Sequence, residues 1–454
     1  MRGKMKIEWV NHASYIFQYK NSRIIADPWL FGSSFNDGWD LLVETQFKVD
    51  DFKDITHIWF SHEHPDHFAP QVLGKIDEGI RKKITVLFQE TTDKRVVNFC
   101  KKLSFKVVEL PHRTKFVIED DFSITCGKMV GIDSWLLYET NDFKLLNIND
   151  CVISNKKLCE SVKKTTGEID VLMSQFSYAN WKGNPDDKGI REKSAREKLN
   201  RIKIQTEVFR PTYTIPFASF VYFSHDENKY MNDSINTIST AHKYLNNNTD
   251  SKSIVMYPSD IWDFESKFNS EKSIKLYDKA YSEVSNLNYR SLSKTVSDKE
   301  LLQASQNYTS DLITNNSSLA MNLYRYIPFF GAKDIIIKLF DTEKYYQFGW
   351  SKGLISISNN SLDPDIEMSS ESLLYVLSYP WGFGTLMVNG RFRSKDLVHA
   401  KSSRIFMLGL MNSIDKRLTI GFIIKECLSK IVGKGLSNDD DWSLHKLWPR
   451  FLKE

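Results

Sequence analysis

Cysteine is scarce and scattered. Cys100, Cys126, Cys151, Cys159 and Cys427 are all there is in 454 residues, and none has zinc-ribbon, Cys-x-His or Cys-x-x-His spacing. That excludes a disulfide scaffold and a chain-borne iron–sulfur cluster, and it predicts reduced thiols in a cytosol. No apolar run reaches the roughly 18 residues of a membrane span. Met1-Arg2-Gly3-Lys4-Met5-Lys6 leads into a strand pattern rather than a secretory apolar segment, so the expected location is cytoplasmic. Charge of one sign is missing too: 61 basic against 57 acidic residues leave a net charge of +4, too little to require a nucleic-acid partner. Internal repeats are absent.

What is present is concentrated. Residues 61–67 read Ser-His-Glu-His-Pro-Asp-His, directly after the apolar stretch Ile55-Thr56-His57-Ile58-Trp59-Phe60, which reads as a buried strand. His62 and His64 are two apart and share a face if the extended chain continues. Beyond the turn at Pro65, Asp66 and His67 reach one pocket only if the chain curls into a loop at the strand end. Imidazoles with a carboxylate suit zinc, manganese or iron better than magnesium or calcium. The spacing therefore predicts a site for one or two divalent metal ions.

A strand followed by His-x-His-x-Asp-His resembles the metallo-β-lactamase fold, an αββα sandwich with its metal site along one edge of two packed sheets. Asn11-His12-Ala13-Ser14 and Ile24-Ile25-Ala26-Asp27-Pro28-Trp29-Leu30 resemble its opening strands. Within the fold the chain is most similar to the CMP-N-acetylneuraminate hydroxylase family. That likeness runs through Asp27 to Gly32, Leu145 to Cys151, Ile215 to Phe220 with Ser224-His225, and Tyr379 to Gly384. That family carries a Rieske iron–sulfur module, for which this chain has no cysteine–histidine pairs. It also supplies a further histidine within the segment matching Gly127 to Trp135, where this chain has Met129; the nearest substitutes are Asp133 and His112.

The resemblance implies the remaining ligands. Asp150 matches a carboxylate that bridges two metals, and His225 matches the last family histidine. One metal would be held by His62, His64 and Asp150, the other by Asp66, His67, Asp150 and His225. Asp66 or Asp150 would take the proton from a bound water. His12, His57 and Asp27 are expected behind the ligands, as core or supporting groups.

The expected architecture is α/β: a metallo-β-lactamase sandwich over residues 1–265, a polar helical connector over 266–320 with helices at 273–286 and 298–314, and a smaller α+β domain over 321–454. Phe176, Tyr178 and Trp181 are expected at the mouth of the site as substrate contacts. Three functions follow from these residues. The first is a hydrolase that turns a metal-activated water on a phosphoester or related bond of a small, phosphate-bearing molecule. The second is an iron-dependent hydroxylase of a nucleotide sugar that draws electrons from a separate redox partner. The third is a non-catalytic binding protein.

Overall fold

The computed structural model describes residues 5–129, 131–327, 331–358, 363–396 and 400–424. Residues 425–454, including Cys427, lie outside the described residues.

Alternating strand residues decide the layering. In His57–Phe60, Trp59 faces one core while Ile58 and Phe60 face another, as a two-residue side-chain period requires. The first sheet has seven strands in the spatial order Ile261–Trp262, Lys6–Asn11, Ser14–Tyr19, Ser22–Ala26, His57–Phe60, Thr85–Gln89, Lys106–Leu110. From Ser22–Ala26 onward its strands are parallel. The second sheet, also of seven strands, runs Lys252–Ser253, Tyr213–Phe217, Val171–Gln175, Lys144–Asn149, Ser134–Thr140, Phe122–Lys128, Lys115–Glu119. Its first four strands are parallel. Parallel strands need both faces covered.

The two sheets pack face to face through Trp9, Tyr15, Phe17, Ala26 and Trp59 from one and Phe122, Leu136, Tyr138, Leu145, Met173 and Phe217 from the other. Helix Arg95–Lys102 covers the outer face of the first sheet, with Val96, Val97 and Cys100 in the core that holds Ile58 and Phe60. Helices Lys156–Thr166 and Lys188–Phe209 cover the second sheet through Cys159, Val162 and Phe209. The result is the αββα sandwich that the strand patterns and the histidine motif suggested. Cys100, Cys126, Cys151 and Cys159 are buried apart in these cores, and burial pushes the thiols of Cys100, Cys126 and Cys159 up to about 12. No described helix is long and apolar enough to cross a membrane.

The strand-like run at 253–258 pairs only over Lys252–Ser253. Beyond it the Tyr257 N–H donates to Asp260 Oδ2 at 2.7 Å, which turns the chain so that Ile261–Trp262 joins the opposite sheet. The connector helices form as Ser270–Glu283, with a 3-10 turn at Val284–Asn286, and Asp298–Asn315. A third, five-stranded sheet follows in the order Gly353–Ile357, Lys344–Gly349, Ile335–Leu339, Ile366–Met368, Phe392–Ser394. Helix Asp298–Asn315 packs on it: Ser305 Oγ accepts from the Leu354 N–H at 2.7 Å and Tyr346 OH donates to Asp298 at 2.9 Å. Helix Ser370–Ser378 starts at Ser369, whose hydroxyl caps the Ser372 N–H, and helices Gly382–Asn389 and Ala400–Ser413 complete this unit.

A buried polar clamp fastens the third sheet to the sandwich. Arg391, 1% exposed, gives its guanidinium to Glu227, to Glu371 at 2.8 Å and to the Asn36 carbonyl at 2.8 Å. Asn389 Nδ2 donates to the Phe35 carbonyl at 3.0 Å, and Asn228 Nδ2 bridges the carbonyls of Gly38 and Asn389 at 2.9 and 2.7 Å. Gly38 has no alternative here, because a Cβ would stand 2.3 Å from that of Asn389. Arg391→Met strands two carboxylates against apolar packing and is expected to lower unfolding free energy by about 3 kcal/mol in a urea titration; an unchanged midpoint would show that the clamp contributes nothing.

Candidate metal centre

Asp27 and Ser61-His62 follow directly on the parallel strands Ser22–Ala26 and His57–Phe60, and Asp150 follows on Lys144–Asn149 of the other sheet. The carboxyl ends of strands from both sheets therefore meet, the place where open α/β sheets bind ligands. The hairpin turn holding His12 lies at the same end, because Trp9 pairs with Tyr15 and Tyr15 with Ala26. Four residues there are held in the left-handed region without being glycine: His12 (φ 20°), Asp27 (φ 41°), Asn149 (φ 53°) and Ala218 (φ 54°). Each costs on the order of 1 kcal/mol, and such residues gather where surrounding contacts over-determine the backbone.

Asp27 is the hub. Its Oδ1 accepts from the Ser61 N–H at 2.8 Å, and its Oδ2 accepts from Ser61 Oγ at 2.7 Å, His67 Nδ1 at 2.9 Å and Asn149 Nδ2 at 2.6 Å. With Nδ1 engaged, His67 presents Nε2 forward, 3.2 Å from Asp66 Oδ2 and 3.4 Å from Asp150 Oδ2. Asp66 Oδ2 also stands 3.3 Å from His12 Nε2, while His12 Nδ1 accepts the Phe220 N–H at 3.2 Å. His62 Nδ1 meets Ser61 Oγ at 2.9 Å and its Nε2 meets His64 Nδ1 at 2.9 Å.

Two ligand sets result: His12, Asp66 and His67, and His62, His67 and Asp150, the ligand atoms of each lying within 4.8 Å of one another. They share His67. Asp66 Oδ1 and His67 Nε2 are buried yet make no hydrogen bond, an arrangement that is costly unless something else completes it. Burial disfavours charge on Asp66, but the charge on His67, with His12 beside it, outweighs that and holds the carboxyl well below the usual carboxylate range. Burial also opposes charge on His67, and the carboxylates of Asp66, Asp150 and Asp27 outweigh it in raising the imidazole. Carboxylates from three strand ends thus converge on one ring and call for positive charge, which a divalent cation between the sets would supply. The residues fit a metal.

Other expected residues lie elsewhere. His225 leaves strand Val221–Phe223, which pairs with Trp39–Leu41 and carries the chain under the C-terminal unit. There its Nδ1 accepts the Glu227 N–H at 3.2 Å, and burial with the nearby Arg391 charge pushes it down to about 4. Met129 packs on the outer helical layer, and His112 Nδ1 accepts the Lys128 N–H at 3.0 Å. Asp133 is buried at the edge of the cavity described below. His57 sits at the opposite end of its strand, its Nδ1 at 2.9 Å from Thr56 Oγ1.

The three aromatics expected at the mouth are packing residues. Phe176 lies in the inter-sheet core against Phe220 at 5.2 Å, Tyr178 OH donates to the Met231 carbonyl, and Trp181 stacks on Phe392 at 4.8 Å. Their loop instead offers Gln175, Ala179 and Asn180 to a cavity of about 480 Å³ in front of His64, Asp66 and Asp150. Gln175, which opens that stretch, ties Asp150 to a lysine that was not anticipated: its Nε2 donates to Asp150 Oδ1 at 3.2 Å, and its Oε1 accepts from Lys198 Nζ. A signal existed, since Lys198 shares a helix face with Ala195, Leu199 and Ile202, where a lysine has no packing reason to be.

Residues 6–175 match the β-lactamase superfamily domain. That segment is similar to the metallo-β-lactamase superfamily domain. Cytidine monophosphate-N-acetylneuraminic acid hydroxylase of Xenopus laevis is 24% identical over 253 residues, which are 51% of this chain and 41% of that protein. The chain thus spans less than half the length of that relative. Among solved structures it is similar to the diiron β-hydroxylase CmlA of Streptomyces venezuelae, with TM-score 0.40 and 13% identity over 58% of this chain and 54% of that one. It is also similar to a possible metal-dependent hydrolase of Veillonella parvula, with TM-score 0.43 and 14% identity over 57% and 99%.

His12→Ala is expected to weaken metal binding at least tenfold and Asp27→Asn by 10- to 100-fold, whereas His225→Ala leaves it unchanged. Competition with a chromogenic chelator reads all three, and a larger loss in His225→Ala than in His12→Ala would reassign the ligand set.

Proposed function

We propose that this chain is a metal-dependent hydrolase that cleaves a phosphoester or related bond with a metal-activated water. The observation that carries the reading is the pair of buried ligand sets joined at His67, with Asp66 Oδ1 and His67 Nε2 left without hydrogen bonds and Asp150 open to a cavity. A bound divalent ion supplies a water acidic enough to ionise near pH 7 and an electrophilic partner for the scissile group. The chain's own residues do the rest. Asp27 orients His67 through Nδ1, and His12 holds Asp66 in place. Asp150, its side chain 20% exposed and lining the cavity, is the carboxylate placed to accept a proton from an entering water. In the balanced reaction the water oxygen bonds to phosphorus or carbon, the ester bond breaks, and the alcohol leaves with a proton.

A second reading is supported by the likeness to the hydroxylase: the same histidines and carboxylates suit iron and oxygen, with electrons from a separate protein. Metal identity separates the two. Protein purified without chelator is expected to carry one or two zinc or manganese ions per chain by elemental analysis, and to lose both metal and phosphoesterase activity in Asp66→Ala. Two irons per chain with oxygen consumption would transfer the assignment to a hydroxylase.

A further inference from the structure

The C-terminal unit walls one side of the cavity in front of the ligand sets, and that wall is largely apolar. Met387 and Val388 come from helix Gly382–Asn389, and Met407, Leu410 and Met411 from helix Ala400–Ser413. Phe35, Trp39, Phe68 and Phe99 face them from the sandwich. Thioethers fill irregular space and adapt to variable apolar shapes. At the mouth Trp381, 40% exposed, has the Arg95 guanidinium 5.8 Å from its ring centroid.

Among the described residues, cations are few where a nucleotide would need them. Arg95 is already paired with Glu63 at 2.8 Å and with Asp93. Three of the basic residues after 390 are paired: Arg391 with Glu227 and Glu371, Lys395 with Asp363, Lys401 with Asp365 at 2.7 Å. Lys198 lies deeper. It is buried to 6% exposure, lines the same cavity and donates to Gln175 Oε1, whose amide nitrogen donates to Asp150, so its ammonium stands near the ligand sets at the polar end of the space.

We propose that the substrate is a small amphiphile: an anionic, phosphate-like head between the metal centre and Lys198, and an alkyl or aryl tail packed against Met387, Met407 and Met411. The proposal rests on the hydrolase reading for the chemistry of the head and on the cavity alone for the tail. A cavity of about 480 Å³ falls in the range that encloses small organic ligands. Each methylene moved from water into it strengthens binding about threefold to fourfold.

Butyl-, hexyl-, octyl- and decylphosphonate, which carry the head without a cleavable ester, test this by titration calorimetry on the full metal-retaining chain, with CMP as the polar comparison. Affinity is expected to climb by at least tenfold for each two methylenes until the cavity fills, with CMP weaker than decylphosphonate. Ala179→Phe, which fills the cavity from the loop after Gln175, should flatten that series at unchanged metal content. Lys198→Met should weaken every member by a similar factor and leave the slope intact. Affinity independent of chain length, or CMP binding more tightly than decylphosphonate, overturns the proposal. A steep series in a protein that hydrolyses no ester would overturn the hydrolase reading alone and leave the tail site standing.

Discussion

Everything at the centre hangs on one buried carboxylate. Asp27 accepts from four donors, two on Ser61, one on His67 and one on Asn149. Ser61 and His67 belong to the loop leaving the first sheet, and Asn149 ends a strand of the second. A carboxylate in such a place is tolerable only when fully hydrogen-bonded. Its satisfaction therefore ties the two sheets together where they open towards the cavity, and it forces the forward presentation of His67 Nε2. The left-handed backbone at Asp27 and Asn149 is offset by the same bonds.

That constraint explains why the ligands share one edge. Parallel strands place their successors at one end of the sheet, so Asp27, His62 and Asp150 arrive together without any long-range steering. Asn149 turns into the hub, its own N–H held by Asn147 Oδ1 at 2.8 Å, and Asp150 beside it faces the cavity. Asn147 in turn donates to Tyr15 OH at 2.9 Å, and Tyr15 OH donates to Tyr138 OH at 3.2 Å. Position at the centre is thereby referred back to the inter-sheet core, so the site is only as exact as the packing of Tyr15, Phe17 and Tyr138 behind it.

The sandwich and the histidine loop were legible because their information is local. A six-residue motif after an apolar strand states its own chemistry, and two-residue alternation states which core each side chain enters. The helix from Asp298 was legible for the same reason. What was not legible depends on register and crossing. His12 lies 54 residues from Asp66, and only the pairing of Tyr15 with Ala26 brings its turn beside the motif. His225 follows an aromatic strand as the resemblance implies, yet that strand pairs with Trp39–Leu41 and delivers the ring to the Arg391 clamp. Phe176, Tyr178 and Trp181 were placed on the right loop, but which residues of it face the cavity was set by the cores behind, which claimed all three rings. Helix Ala400–Ser413 is apolar in a way that sequence cannot distinguish from ordinary core.

The C-terminal unit matters to the chemistry because of what it does to water. Charges at 4 Å interact about four times more strongly at an effective dielectric of 20 than in bulk solvent. The two helices with Met387 and Met411 wall the cavity in front of Asp66 and Asp150 with apolar groups, while Asp27 and its donors stand behind His67. The clamp of Arg391, Asn389 and Asn228 fixes that cover to the sandwich without touching the ligands. The polar work of holding the cover down is thus done at a distance from the polar work of holding the ligands. The cavity wall between them is left free to be apolar.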